Sequence, residues 1–380
     1  MTTLFWRPIR GVRLVGKLVV LLSLSACGQD ADLAIEQSHA NALRFTGPIM
    51  GTTYIVTVVG DELDTKAQVE SAQIEARLDR LIKDSLDETN SIMSHYDPES
   101  ELSRLNRLKA NSPTKLSDDL ASVLVESMRI YELSGGAFDV TLSPAIDAWG
   151  FGPSGAITSR PSDTELQDIK SRVGSNNVKL DDAVLIKSID SLEFNLSAIA
   201  KGYAIDKLAQ RLVAAGFENF LINVGGELKA RGHNQEGVNW RIAIEQPHVL
   251  GGIGEVLVLQ DRAVATSGDY RNFIEIDGQR YSHTIDSNTL MPVLHKLALV
   301  TVVHESATTA DGLATAILAM GDKEGIEFAN RLNLDYYALI RTAKNEYIVR
   351  LSESLKPLIQ WYKLEANTLE YYSSSTTRKE

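Results

Sequence analysis

Residues 194–227 read FNLSAIAKGYAIDKLAQRLVAAGFENFLINVGGE, and their patterning decides the fold class. Ser197 opens a helix that runs through Tyr203, Leu208 and Leu212 to a stop at Gly216. Residues 219–224 then read as a strand, and Gly225-Gly226 follows it at once. Downstream, short strands are expected at 239–245, 255–260, 263–266, 272–276 and 298–304. A helix near 308–320 ends at Gly321, and residues 335–350 form a closing hairpin. Upstream, residues 52–59 (TTYIVTVV) are β-branched and aromatic, as a first strand should be. From Thr65 to Met93, Val69, Ile74, Leu78, Leu81, Ile82, Leu86 and Ile92 recur at helical spacing. Ser117 caps a second helix, with Asp118 and Asp119 in its first turn and Gly135 as its stop. Helices interleaved with antiparallel-looking hairpins make an α+β body with antiparallel sheets and packed helices, not a doubly wound sheet.

The chain has 380 residues, 44% hydrophobic and 23% charged, a globular composition that excludes disordered, collagenous and multi-span membrane classes. Net charge is −12, and the four basic residues before Cys27 leave 34 basic against 50 acidic residues beyond it, net −16. So acidic a body repels polyphosphate backbones, which argues against nucleic acid as a partner. A phosphate ligand would need a local cation or metal.

Residues 1–17 are basic, 18–26 (LVVLLSLSA) are apolar, and Cys27, the only cysteine, follows. That is a secretory signal too short to span a bilayer. Leu24-Ser25-Ala26-Cys27 resembles a bacterial lipobox, with Cys27 as the lipidation site; a buried core cysteine is the alternative. A lone cysteine cannot form an intrachain disulfide. The expected organisation is a signal peptide over 1–26, a polar tether over 27–44, a catalytic domain over 45–366 and a disordered tail over 367–380. The body is expected to face the periplasm from the cell envelope, with Gly28 after the cysteine favouring the outer membrane.

Several segments carry residues that packing alone would not choose. Residues 134–152 (SGGAFDVTLSPAIDAWGFG) show no helical or strand period, and read either as a binding loop around Asp139 or as a Gly-rich connection. Lys201 and Gly202 sit near a helix start, where free N–H groups and a full positive charge favour phosphate; a snorkelling lysine is the plainer reading. Asn223-Val224-Gly225-Gly226-Glu227 permits close backbone approach to a ligand, or is an ordinary turn. His283, at a strand end near Asp286, can take a proton at neutral pH, or is structural. Asp311 and Thr315 share a helix face and suit a hard cation such as Mg²⁺, although an Asp near a helix start is also a routine dipole partner.

Taken together and in order, these blocks resemble the ApbE family, the FAD:protein FMN transferases, from about Phe45 to Arg350. The matching stretches include Met50-Gly51-Thr52, Ser94-His95-Tyr96, Gly135 to Thr141, Trp149-Gly150-Phe151-Gly152, Ala198 to Ala204, Asn223 to Glu227, Ala265 to Tyr270, Tyr281-Ser282-His283 and Ala310 to Thr315. The resemblance implies a T-fold-like body and Mg²⁺-dependent transfer of FMN from FAD to a threonine or serine of an exported or membrane-bound flavoprotein, releasing AMP. By matched position, Met50, Tyr96, Ala137, Phe138, Asp139 and Lys201 are expected to contact FAD. Asn195 stands where the family commonly has Asp. Asp311, Thr315 and the carbonyl of Ala198 are expected to hold Mg²⁺, and His283 to be the base, with Asp286 as its orienting group or replacement. After His283 the family usually reads I-I-D-P-x-T-G, whereas this chain has Thr284-Ile285-Asp286-Ser287-Asn288-Thr289-Leu290, a departure expected to reshape the rim. The rival readings are an FAD pyrophosphatase giving FMN and AMP, and a non-catalytic flavin-binding lipoprotein.

Overall fold

The computed structural model describes residues 42–60, 63, 68–245, 253–270, 272–343 and 346–361. The expected signal, Cys27 and the 367–380 tail lie outside these residues. Strand β1 (Ala42–Ile49) and strand β2 (Thr52–Val59) form a hairpin in which Ile49 faces Thr52. Its two turn residues, Met50 and Gly51, have φ of 47° and 72°, as a type I′ turn requires. Ala42, Leu43 and Arg44, read from the sequence as part of the tether, pair in β1 with Val59, Val58 and Thr57.

Helix α1 (Gln68–Met93) buries Leu78, Ile82 and Leu86 completely, one apolar residue per turn on one face. Helix α2 (Glu101–Asn106) and strand β3 (Thr114–Lys115) lead to helix α3 (Asp118–Leu133), which Ser117 caps by accepting from the Leu120 amide. The 134–152 segment is less irregular than expected: helix α4 (Ser143–Ala148) lies inside it, started by Pro144. Helix α5 (Asp163–Lys170), strands β4 (Val178–Asp181) and β5 (Val184–Lys187) and helix α6 (Ala200–Ala214) follow. Ser197 does not cap α6; Ile199 takes that place, while Ser197 donates its own amide to Asn195 Oδ1.

The remaining strands are β6 (Asn219–Val224), β7 (Glu227–Arg231), β8 (Trp240–Glu245), β9 (Ile253–Leu259), β10 (Ala263–Gly268), β11 (Phe273–Ile276), β12 (Gln279–Ser282) and β13 (Leu297–His304). After helix α7 (Ala307–Arg331) come β14 (Asp335–Arg341), β15 (Tyr347–Leu351) and β16 (Ile359–Trp361). At Gly321 the backbone of α7 turns to φ 86°, ψ −167°, so the helix breaks where the sequence places its stop. Among the described residues no helix is long and apolar enough to cross a membrane.

Eight strands make one sheet in the order β1-β2-β6-β7-β10-β13-β14-β15, with every pair antiparallel. Helices α1 and α6 cover the face of its β1-β2-β6 end through Val56, Val58, Ile205, Leu208 and Ile222. Helices α3 and α7 cover the β13-β14 end through Leu124, Ile130, Leu313 and Ile317. The small β16-β9-β8 sheet packs on the opposite face through Trp240, Ile242, Leu257 and Leu259. Strand β13 is therefore buried on both sides: Val300 and Val302 face the helices, and Leu299 and Val303 face the small sheet. The α+β expectation holds.

Two contacts lock α6 to α7. A Cβ on Gly202 would come within 2.3 Å of the Ala307 carbonyl oxygen, so only glycine permits this approach. Asp206 of α6 caps α7 from outside, accepting hydrogen bonds from the amides of Ala307 and Thr308, from the hydroxyls of Ser306 and Thr308, and from Lys229 Nζ at 2.6 Å. Burial raises a carboxyl pKa, but Lys229 and the α7 amides outweigh it and hold Asp206 below the ordinary range.

Candidate active site

A cleft of about 960 Å³ opens between the β10–β13 stretch of the large sheet, the small sheet and the N-terminal half of α7, with residues from all three on its walls. Tyr96, Ala137, Phe138, Asp139, Asn195, Ala198, Lys201, His283, Asp311 and Thr315 all line it, although they come from segments up to 219 residues apart. Met50 does not. It occupies the β1–β2 turn and packs on the α1–α6 core, while its neighbours Gly51 and Thr52 reach the wall.

Several of these residues have a structural support. Asp139 Oδ1 accepts from the Thr141 amide at 2.8 Å, from the Thr141 hydroxyl at 2.7 Å and from the Ser175 hydroxyl at 2.7 Å. That carboxylate first holds the Ala137–Thr141 turn against the cleft. Asn106 clamps Phe194 by donating to its carbonyl and accepting from its amide. Buried Lys187 donates to the carbonyls of Asn106 and Leu192, which fixes the segment leading to Asn195. Asn195 Nδ2 donates to His95 Nε2 at 3.4 Å. Burial lowers the His95 pKa, against the pull of the Asp147 carboxylate. Tyr96, 61% exposed, stands at the cleft wall with its ring 4.0 Å from that of His95.

At the centre of the cleft Lys201 Nζ lies 2.8 Å from Glu227 Oε1 and 3.8 Å from Asp311 Oδ1. Asp311 Oδ2 accepts from the Gly202 amide at 3.0 Å. Burial opposes the Lys201 charge, but Asp311 and Glu227 outweigh it and hold the ammonium well above the ordinary lysine range. Burial pushes both carboxyls up, against the pull of Lys201. Thr315, one turn beyond Asp311, has its hydroxyl 3.3 Å from that of Ser267. Among the described residues no group of three or more His, Cys, Asp and Glu side chains is arranged to hold a metal; a cation here would rely on hydroxyl and carbonyl oxygens as well.

His283 sits on the same cleft with Nδ1 3.0 Å from the Asn272 carbonyl oxygen. A carbonyl only accepts, so Nδ1 carries the proton and Nε2 presents its lone pair. Burial lowers the pKa of the ring, and the Lys201 charge lowers it further. Asp286 does not orient the imidazole: it lies off this cleft and its Oδ1 accepts from the Asn288 amide at 2.8 Å.

The Thr284–Leu290 departure is closed by local bonds. The Leu290 amide donates to the Asp286 carbonyl at 2.8 Å, and Lys170 Nζ donates to the carbonyls of Ser287 and Asn288, each at 3.0 Å. Leu290 adopts φ 57° yet is buried, with its carbonyl accepting from Trp149 Nε1 at 2.9 Å. Sequence reasoning gave no role to Asn272 or Asp206 and none to Glu227 individually. Glu227 had a signal, a carboxylate directly after a Gly-Gly turn; Asn272 had none because it acts through its backbone carbonyl, and Asp206 had none because the amides it caps lie about a hundred residues away.

A model of the ApbE family matches residues 50–340. A Vibrio cholerae protein named FAD:protein FMN transferase is 37% identical over 345 residues, covering 90% of this chain and 97% of the relative. A Haemophilus influenzae protein of the same name is 35% identical over 350 residues, covering 90% and 96%. The solved structure of flavin transferase ApbE from Vibrio cholerae superposes with a TM-score of 0.75 at 36% identity, over 84% of this chain and 99% of that one. The apo form of Pseudomonas stutzeri flavinyl transferase ApbE gives 0.75 at 34% identity, over 84% and 97%.

Proposed function

The chain belongs to the ApbE family, and from that premise we propose that it is an FAD:protein FMN transferase that moves FMN from FAD to a threonine or serine hydroxyl of a target flavoprotein and releases AMP. The observation that carries this reading is the placement of a half-buried lysine and two buried carboxylates on the same cleft as a histidine whose Nδ1 is held by a backbone carbonyl.

The donor set fits a divalent cation. Two buried carboxylates face one ammonium, and Glu227 Oε2 is buried without a hydrogen-bond partner among the described residues. Asp311, Thr315 and the Ala198 carbonyl would hold Mg²⁺, which when bound neutralises charge on the pyrophosphate and on the departing AMP phosphate. Lys201 adds a fixed positive charge for the same anion. Phe138 and Tyr96 offer aromatic faces to the flavin or adenine, and Asn195, Ala137 and Asp139 line the adjoining wall. His283 Nε2 takes the proton of the acceptor hydroxyl as its oxygen bonds to the FMN phosphorus; the bond from that phosphorus to the bridging oxygen breaks, and the oxygen leaves with AMP.

Water in place of the hydroxyl would give FAD pyrophosphatase action, and the names of the relatives favour transfer. A binding protein without chemistry needs no base on the cleft. AMP release from FAD, assayed with EDTA and after Mg²⁺ is restored, tests the reading. Release that stops and returns supports it, release that continues in EDTA removes the metal, and no release at all favours the binder.

The lipobox supports anchoring through acylated Cys27 on the periplasmic side of the envelope, the compartment of exported acceptors. Cys27→Ser should then move the protein from the membrane to the soluble fraction; a variant that stays with membranes overturns the anchor.

A further inference from the structure

The turn Asn223–Glu227 wraps the stem of Lys201. Gly225, at φ 66°, faces the Lys201 side chain, with Cδ 3.4 Å from where its Cβ would stand, and the Gly226 amide donates to Asn223 Oδ1 at 3.0 Å. This turn delivers Glu227 into the cleft with 7% of its side chain exposed. Oε1 takes the Lys201 ammonium, whereas Oε2 is buried with no hydrogen-bond partner among the described residues. An unpaired buried carboxylate oxygen is costly, and Lys201 already serves Asp311 as well. One ammonium faces two carboxyl groups beside the Asp311–Thr315 pair.

We infer that Glu227 is a positioning residue of the cation site: it holds Lys201 through Oε1 and offers Oε2 as acceptor to water bound on the divalent cation. Mg²⁺ usually keeps several waters, and such outer acceptors set metal affinity as much as orientation. The inference rests on the cleft being a cation site, as proposed above.

Mn²⁺ binding to the full chain without FAD, read from the electron paramagnetic resonance of free Mn²⁺, separates the possibilities. Glu227→Gln, an isosteric change that removes the charge, should weaken Mn²⁺ binding by about 10–100-fold. Glu227→Asp, which keeps the charge, should recover part of that loss, and thermal melting of both variants shows whether they fold. If folded Glu227→Gln binds Mn²⁺ like wild type and loses only metal-free FAD affinity, Glu227 serves Lys201 alone and the inference fails. If wild type itself binds no Mn²⁺, with or without FAD, the cation site fails and the inference with it.

Discussion

His283 Nδ1 lies 3.0 Å from the carbonyl oxygen of Asn272, across the β11–β12 hairpin. The contact fixes the tautomer and leaves Nε2 as the basic atom facing the cleft. Since burial lowers the pKa of this ring, the wild-type transfer rate should rise with pH through a value below the ordinary imidazole range and stay level above it. His283→Ala should bind FAD nearly as wild type, by flavin fluorescence titration, and lose about 10²–10⁴-fold in transfer along with that acid limb. Full transfer by His283→Ala would remove the histidine as the base.

Lys201 compensates two buried carboxylates, so Lys201→Met should unfold more easily by about 3–5 kcal/mol at neutral pH, the usual cost of breaking a buried pair. Without the ammonium, both carboxyls hold protons more tightly in the folded state than in the unfolded one. Stability of the variant should therefore recover as pH falls toward the carboxyl range. Urea melts at two pH values measure this. A variant as stable as wild type at neutral pH would show that Glu227 and Asp311 are not charged together.

Asp206 joins α6, which carries Lys201, to the start of α7, which carries Asp311. Asp206→Ala strips several donors at once and should cost about 1–3 kcal/mol. The folded-state pKa of Asp206 is depressed, so its contribution is complete above the unfolded carboxylate pKa and disappears as pH falls through the lower folded value. Denaturant melts of wild type and variant should converge at strongly acid pH; a gap independent of pH would contradict the capping role.

Which elements the sequence reveals depends on whether their signal is local. Leu78, Ile82 and Leu86 repeat every turn, so α1 is visible without any partner. Strand β1 (ALRFTGPI) hides because Gly47-Pro48 looks like a break, and only its edge position tolerates the proline. Strand β7 (ELKAR) is polar and exists because the Gly225-Gly226 turn folds it back on β6. Lys201, Asp311, Thr315 and His283 each admit a structural reading taken singly, and it was the order of the family's motifs around them that marked them as candidates. Asn272 and Asp206 were not, for one works through a carbonyl and the other caps a helix that begins 101 residues further on. Leu290 shows a compensation sequence patterning does not carry: a buried side chain against Trp149 and Tyr281 offsets a left-handed backbone that costs about 1–2 kcal/mol.

The central claim is transfer of FMN to protein, and the intact mass of an acceptor measures it most directly. Purified chain, FAD, Mg²⁺ and a flavoprotein subunit carrying an acceptor threonine should yield a subunit heavier by one FMN less one water, with one AMP released for each FMN attached. Mutation of the acceptor threonine to alanine should abolish the gain. An acceptor of unchanged mass while FAD is split into free FMN and AMP would make the protein a hydrolase, and an unchanged acceptor with intact FAD would make it a binder.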